Sequence, residues 1–106
     1  MAESQNEQLT TTENTNYRLP NTLTMQHITK LGIVNDKPIM LDYWTKSLDS
    51  KVIIGIRDSG EKLLVKSEEE YTSPIAKIYK VETDYIIETE NSLYLADSSI
   101  STKRIS

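Results

Sequence analysis

The sequence predicts an all-β protein: a small antiparallel barrel or a compact sandwich of six to seven short strands, with a disordered N-terminal arm. Short runs rich in Val, Ile, Leu and Tyr recur between turn residues, which is typical of strands. No long segment has the sustained apolar spacing of an extended helix. Only residues 24–97 are apolar enough to build a core, and without cysteine that core depends on packing alone.

The clearest element is a hairpin over residues 52–67, where two apolar runs flank a turn that contains Gly60. Pairing Ile54 with Val65 places the apolar side chains of both strands on one face, so the pattern favours that register. The expected members of this face are Val52, Ile54, Ile56, Leu63 and Val65.

The second half predicts a meander of three strands, at 75–81, 85–89 and 92–96. A three-residue loop at 82–84 would oppose Tyr79 with Ile87, an aromatic and β-branched pair that stabilises a sheet. Two turns fit residues 90–92. A three-residue turn extends the same face, whereas a two-residue turn opposes Ile87 with Tyr94.

Residues 24–34 fit either a strand or a short helix. Their apolar residues recur at near-helical spacing, but their Thr and Ile content and partial alternation favour a strand, which is our expectation. Residues 39–44 are expected to form a further short strand, on which Met40 and Trp44 share a face.

The chain divides into a disordered polar arm at 1–23, a single β domain at 24–97 and a flexible C-terminal tail at 98–106. The arm has so few apolar side chains that burial would not offset the entropy of ordering it. Tyr17 and Leu19 are exceptions, and they predict either a docking segment or a loosely packed linker end. The sequence shows neither a signal-peptide pattern nor an apolar run of membrane-spanning length, so we expect a cytoplasmic protein.

The charge is unevenly distributed along the chain. The formal net charge of -4 disfavours a general nucleic-acid binder, because such affinity comes mainly from Lys and Arg. Residues 24–67 carry seven bases and five acids, whereas residues 68–97 carry two bases and eight acids. This difference predicts an acidic side that would suit a basic partner.

No group of residues has the pattern of a catalytic or metal site, so we expect a protein that is not an enzyme and has no cofactor. His27 is the only histidine and is read as an ordinary strand residue. Glu88 and Glu90 would point the same way from one strand, but paired catalytic carboxylates normally flank a cleft.

These observations favour a non-enzymatic protein-protein interaction or assembly module that binds another protein, with a basic one preferred, or itself as a homo-oligomer. The composition also suits a phage or virus accessory or structural protein. The partner-binding candidates are Trp44, Met40, Tyr17, Leu19, Glu68, Glu69 and Glu70. For Trp44, a core position is favoured over an exposed one. The alternative is a barrel that binds single-stranded nucleic acid through Tyr43, Lys46, Lys51, Arg57, Lys62 and Lys66.

Overall fold

The computed structural model describes residues 17–106, which form a mostly β structure of seven strands and two helices. The helices are α1 (Thr22–Asn35) and α2 (Trp44–Leu48). The strands are β1 (Ile39–Met40), β2 (Ile53–Ile56), β3 (Lys62–Val65), β4 (Ile75–Val81), β5 (Asp84–Thr89), β6 (Leu93–Asp97) and β7 (Ser101–Arg104). Residues 1–16, most of the predicted disordered arm, lie outside the described part.

The strands form two sheets, in the orders β1-β6-β5-β4 and β3-β2-β7. The sandwich alternative is therefore confirmed, and residues 17–106 do not close into a barrel. Both sheets are mixed rather than purely antiparallel, because β1 pairs with β6 and β2 with β7 in parallel. Within this part of the chain, no helix is long and apolar enough to cross a membrane.

The core consists of two layers on opposite faces of the four-stranded sheet. Alternation along β5 directs Ile86 towards α1 and Ile87 towards the three-stranded sheet. The layer under α1 contains Ile28, Trp44, Ile86, Leu93 and Leu95. The layer between the sheets contains Tyr43, Val52, Ile54, Leu64, Ile87, Ala96 and Ile100.

The predicted hairpin is present, but its register differs by one residue. Ile54 pairs with Leu64 rather than with Val65. The backbone N–H of Arg57 donates to the carbonyl of Glu61 at 2.9 Å, and Gly60 has a left-handed φ of 94°. The loop is therefore one residue shorter than expected, since glycine at this position permits a three-residue connection.

In the meander, the register between β4 and β5 also differs by one residue from the predicted one. Between β5 and β6, one of the two predicted turns is confirmed. Tyr79 opposes Ile86, and a two-residue turn joins β4 to β5 with Glu82 at a φ of 54°. Between β5 and β6, Ile87 opposes Tyr94, which is the two-residue alternative.

The strand expected at residues 24–34 is wrong, because these residues lie within α1. Thr24 and Ile28 are both 0% exposed, and their helical spacing packs them on the four-stranded sheet. The helix ends at Asn35, and the next residue, Asp36, has a left-handed φ of 55° that lets the Lys37 N–H also donate to the carbonyl of Gly32, at 3.1 Å. Tertiary packing thus outweighs the local preference of Thr and Ile for strands.

Two further expectations are corrected. In residues 39–44 only Ile39 and Met40 are a strand, and Trp44 instead begins α2. Within the predicted flexible tail, Ser101–Arg104 forms β7, whose backbone pairs with β2 although its four side chains are exposed.

Candidate functional site

Arg18 joins the segment before α1 to the four-stranded sheet. Its Nη2 lies 2.7 Å from a carboxylate oxygen of Asp84 and 2.6 Å from one of Asp97, two residues paired across β5 and β6. The guanidinium also lies 4.9 Å from the ring centroid of Trp44, whose indole N–H donates to the Arg18 carbonyl at 2.8 Å. The end of the predicted arm is therefore held against the domain.

Asp84 also serves the start of α1. It is 0% exposed and accepts hydrogen bonds from the Asn21 backbone N–H at 2.8 Å and from the Thr24 hydroxyl at 2.7 Å. The first turn of α1 has no acidic residue of its own, so Asp84 supplies the negative charge that a helix N-terminus favours.

The pKa values of Asp84 and Asp97, the two carboxylates that contact Arg18, follow from opposing effects. Burial alone would raise the pKa of Asp84, but hydrogen bonds from Asn21, Thr24 and Arg18 and the Arg18 charge hold it below its usual range. Burial would likewise raise the pKa of Asp97, and bonds from Ser99 and Arg18 lower it. Both carboxylates are thus ionised near neutral pH and act as structural acceptors.

Glu88 holds the other end of α1 in a similar way. Its carboxylate accepts hydrogen bonds from Lys37 at 2.8 Å, Asn35 at 3.0 Å and the Tyr79 hydroxyl at 3.2 Å. The Lys37 hydrogen bond is the largest influence that lowers the Glu88 pKa, and burial opposes it. Asp84 and Glu88, on the same face of β5, therefore fix the two ends of the helix.

These contacts reduce the acidic side that the sequence predicts. Of the eight acids between residues 68 and 97, Asp84, Glu88 and Asp97 form ion pairs in which the acid is not exposed, and exposed Glu70 lies 3.5 Å from Lys66. The acids that stay exposed are Glu68, Glu69, Glu70, Glu82 and Glu90. In residues 17–106 no group of three or more His, Cys, Asp or Glu side chains could hold a metal ion.

The outward side of α1, here called the outer α1 face, has exposed aliphatic residues among polar ones. It consists of Met25, Gln26, Thr29, Lys30, Ile33 and Val34, which line a shallow recess with Thr22. Ile33 is 76% exposed and Val34 is 68% exposed. Large aliphatic side chains thus point into solvent close to one another.

A second recess, the α1–β4 groove, adjoins this face and has a volume of about 470 Å³. Its floor is apolar, and every ionisable side chain on its rim except the Tyr79 phenol is basic. The lining residues are His27, Lys30, Leu31, Val34, Tyr79, Lys80, Val81 and Ile86. β4 is also the edge strand of its sheet, with Lys77 and Lys80 exposed along it.

A third recess, the Arg57 cleft, lies on the three-stranded sheet and has a volume of about 550 Å³. Lys51, Arg57 and Lys66 line it together with exposed Tyr71. The guanidinium of Arg57 lies 5.9 Å from the Tyr71 ring centroid. Lys66 is near Asp42 at 3.7 Å and Glu70 at 3.5 Å.

The partner-binding candidates are scattered over the structure. Trp44 is 5% exposed and lies in the core under α1, so a partner cannot reach it. Met40, Tyr17 and Leu19 are 36%, 54% and 70% exposed, and the three consecutive glutamates are on the surface.

The nucleic-acid candidates do not form one strip. Tyr43 is 5% exposed, its phenol pKa is raised to about 12 mainly by burial, and Lys66 Nζ lies 4.6 Å from its ring centroid. Lys51, Arg57 and Lys66 share the Arg57 cleft, whereas Lys46 lies on α2 and Lys62 lines a separate recess.

Sequence reasoning missed the outer α1 face because a strand was expected there. A helical reading of the same residues places Ile33 on the side opposite Thr24 and Ile28, with Met25 and Val34 on the two flanks, and the sequence contains this signal. Comparisons with protein-family models, curated proteins and solved structures find no match for the chain.

Proposed function

We propose that this protein is a non-enzymatic protein-interaction module whose outer α1 face and α1–β4 groove bind an acidic amphipathic segment of another protein. The single observation that carries the proposal is that α1 exposes large aliphatic side chains away from the side that packs on the sheet. Thr24 and Ile28 are buried against the sheet, while Ile33 and Val34 are 76% and 68% exposed on the other side.

A helix with one buried and one solvated side normally has polar residues outward. Burying an aliphatic side chain of this size is worth about 1.5 to 3 kcal/mol, so leaving two adjacent ones in water forgoes a substantial stabilisation. Contiguous exposed apolar surface of this kind marks interaction sites on soluble proteins. Cover by a partner would recover that free energy.

The charges around the groove favour an acidic partner. Lys30 and Lys80 stand on its rim with His27, and no Asp or Glu lines either recess beside α1. The sequence favours a basic partner, but Asp84, Glu88 and Asp97 are already paired inside the protein. Complementary charge would steer and orient the incoming segment.

The shape of the surface suits a helix or an extended segment with regularly spaced apolar anchors. Met25, Thr29 and Ile33 recur every four residues, which makes a ridge along the outer α1 face, and Lys30 and Val34 connect this face to the groove. An amphipathic segment that lays its apolar side into such a groove is a common mode of peptide recognition.

Photo-crosslinking in the native cells tests the proposal. A photoreactive amino acid at Ile33 should crosslink to a partner peptide that has more acids than bases and several apolar residues. The same amino acid at Thr45, exposed on α2, is the matched control and should not capture that peptide. A basic partner peptide at Ile33 would contradict the charge argument. A crosslink to the chain itself, including residues 1–16, would show that the surface is covered by self-contact instead.

Charge reversal provides an independent measurement with the captured partner. We expect the double variant Lys30→Glu and Lys80→Glu to weaken its binding at least about tenfold, because like charges would then face each other across the groove. Lys103→Glu, an exposed position on β7, should have little effect. Equal loss in both variants would mean that only the overall charge matters.

The nucleic-acid alternative has weaker support, since its candidate residues are divided among different surfaces. Changing Arg57, Lys62 and Lys66 to Glu should leave binding at the outer α1 face intact. If the triple variant instead lost an oligonucleotide that copurifies with the native protein, this second function would replace the first.

A further inference from the structure

The Arg57 cleft is built differently from the surface beside α1. Alternation along β2 places Ile53, Gly55 and Arg57 on the face that points away from the core between the sheets. Leu63 and Val65 of β3 contribute to the same face and line the cleft with Ile53. Although it lies on the outer side of the sheet, Leu63 is only 2% exposed, so the floor is packed and apolar.

Gly55 allows the chain beyond β7 to close over this floor. A Cβ at Gly55 would lie 2.8 Å from Cδ1 of Ile105 and 3.1 Å from Cγ2 of Val65. The side chain of Ile105 therefore occupies the space that any other residue at position 55 would fill. Ile105 also lines the cleft, and its backbone N–H donates to the Ile56 carbonyl at 2.9 Å.

The ionisable lining of the cleft is mainly basic. Lys51, Arg57 and Lys66 contribute three positive charges, and Glu68 is the one acidic side chain among the lining residues. Lys66 already has Asp42 and Glu70 within 4 Å. Lys51 and Arg57 form no ion pair within residues 17–106, so their charges are available to a ligand.

Arg57 stands out among the three arginines of the sequence. Arg18 bridges two carboxylates and Arg104 pairs with Asp58 at 3.1 Å. The Nε of Arg57 is buried and has no acceptor among the described residues. A buried hydrogen-bond donor without a partner destabilises the folded protein, so such a group calls for an acceptor.

We infer that the Arg57 cleft binds a small organic anion: an oxyanion head group that Arg57 recognises, attached to an apolar or aromatic body that packs on Ile53, Leu63 and Ile105. A guanidinium matches the planar oxygen pair of a carboxylate or the oxygens of a phosphate. Tyr71 beside Arg57 offers an aromatic face, and the volume of about 550 Å³ falls within the size range of small-molecule sites.

NMR titration of the full chain labelled with ¹⁵N tests this inference. The probes are 4-phenylbutyrate and phenyl phosphate, which carry the two kinds of oxyanion on an aromatic body. 4-Phenylbutanol lacks the charge, and acetate and inorganic phosphate lack the body. We expect saturable shifts in β2, β3 and around Tyr71 with at least one of the first two. Binding should be at least about tenfold weaker with the other three, because the alcohol loses the charge-assisted hydrogen bond and the two small anions lose the contact with the apolar floor.

Variants separate the cleft from other basic surfaces. Arg57→Gln should weaken the tighter of the two aromatic anions at least about tenfold, and Arg57→Lys should retain part of the affinity. Arg104→Gln removes a positive charge from the same sheet outside the cleft and should change the affinity less than about twofold.

Several results would overturn the inference. Shifts confined to α1 and β4 would place the ligand on the outer α1 face. Equal affinity for inorganic phosphate and phenyl phosphate would remove the role of the apolar floor. If none of the five probes gave saturable shifts, the proposed binding site would also be contradicted. Because the outer α1 face is untouched by these variants, the proposed protein interaction stands or falls separately.

Discussion

Single residues of opposite charge hold the N-terminal segment and α1 on the sheet. Arg18 lies between Asp84 and Asp97, and burial would oppose its charged form without them. Its hydrogen bonds to the two carboxylates raise its pKa above the ordinary value. An unpaired charge left at this position would destabilise the folded protein. We therefore expect stability to be sensitive to substitution of Arg18, Asp84 or Asp97.

Asp84→Asn should destabilise the protein by about 2 kcal/mol, because the buried partner of Arg18 and the charge at the start of α1 are both lost. This figure is smaller than for a fully buried pair, since Arg18 is 34% exposed. Urea unfolding measures the change. Glu90→Gln, an exposed change of the same kind, should stay within about 0.5 kcal/mol of the parent, and equal losses would contradict the role of Asp84.

Stability should fall in acid. The folded-state pKa values of Asp84, Asp97 and Glu88 lie below the ordinary 3.8 and 4.5, so the unfolded chain binds more protons in this range. Their contribution to the free energy of unfolding is fully present above about pH 5, and it is lost as the pH falls through their lowered folded-state pKa values. Urea midpoints between about pH 7 and about pH 3 test this. Asp84→Asn should make the urea midpoint depend less on pH. A midpoint of the parent protein that does not change with pH would contradict this prediction.

At the scale of elements, the sequence predicts most strands but not their exact pairing. The runs at β2, β3, β5 and β6 are recognisable because one or both faces are buried and apolar, and β4 is recognisable from its partly buried Ile75, Tyr79 and Val81. Registers differ by one wherever a loop is one residue shorter than expected, as at Gly60 and Glu82. A one-residue difference exchanges the faces of a strand, so turn chemistry limits the prediction.

α1 and β7 are predicted incorrectly for different reasons. α1 has aliphatic residues on both sides and is rich in Thr, so it lacks the one-sided pattern that marks a surface helix. β7 pairs through its backbone while all four of its side chains are exposed, so no alternation reveals it. Of the candidate surfaces, the sequence names Arg57, Lys51 and Lys66 but cannot bring them together without the correct register.

Gly55→Ala should cost about 1 kcal/mol, because the added methyl would overlap Ile105 and force the chain after β7 to move. Ile105→Ala creates space for that methyl, so the double variant should lose less than the sum of the two single variants, by about 1 kcal/mol. Urea unfolding of the four proteins in this cycle measures the coupling. Strict additivity would mean that the close approach has no energetic weight.

At the scale of the whole molecule, the central strands should be more stable than the edges. β5 lies between β4 and β6, and four of its last five residues are fully or nearly fully buried, whereas β7 is an edge strand with exposed side chains. Hydrogen exchange measured by NMR should show β5 amides that open only with global unfolding. β7 amides should exchange at least roughly 100-fold faster. Equal protection of the two strands would contradict this order.

The two carboxylates that hold α1 belong to one strand, and this restricts the helix as a whole. Asp84 and Glu88 are four residues apart on β5, or about 13 Å. Inserting or deleting one residue within α1 would turn the rest of the helix by about 100°, so Thr24 and Asn35 could not both keep their acceptors. β5 therefore sets the length and the rotation of α1. Ile33 and Val34 cannot turn inward, and whatever shields them from water must approach from outside the helix.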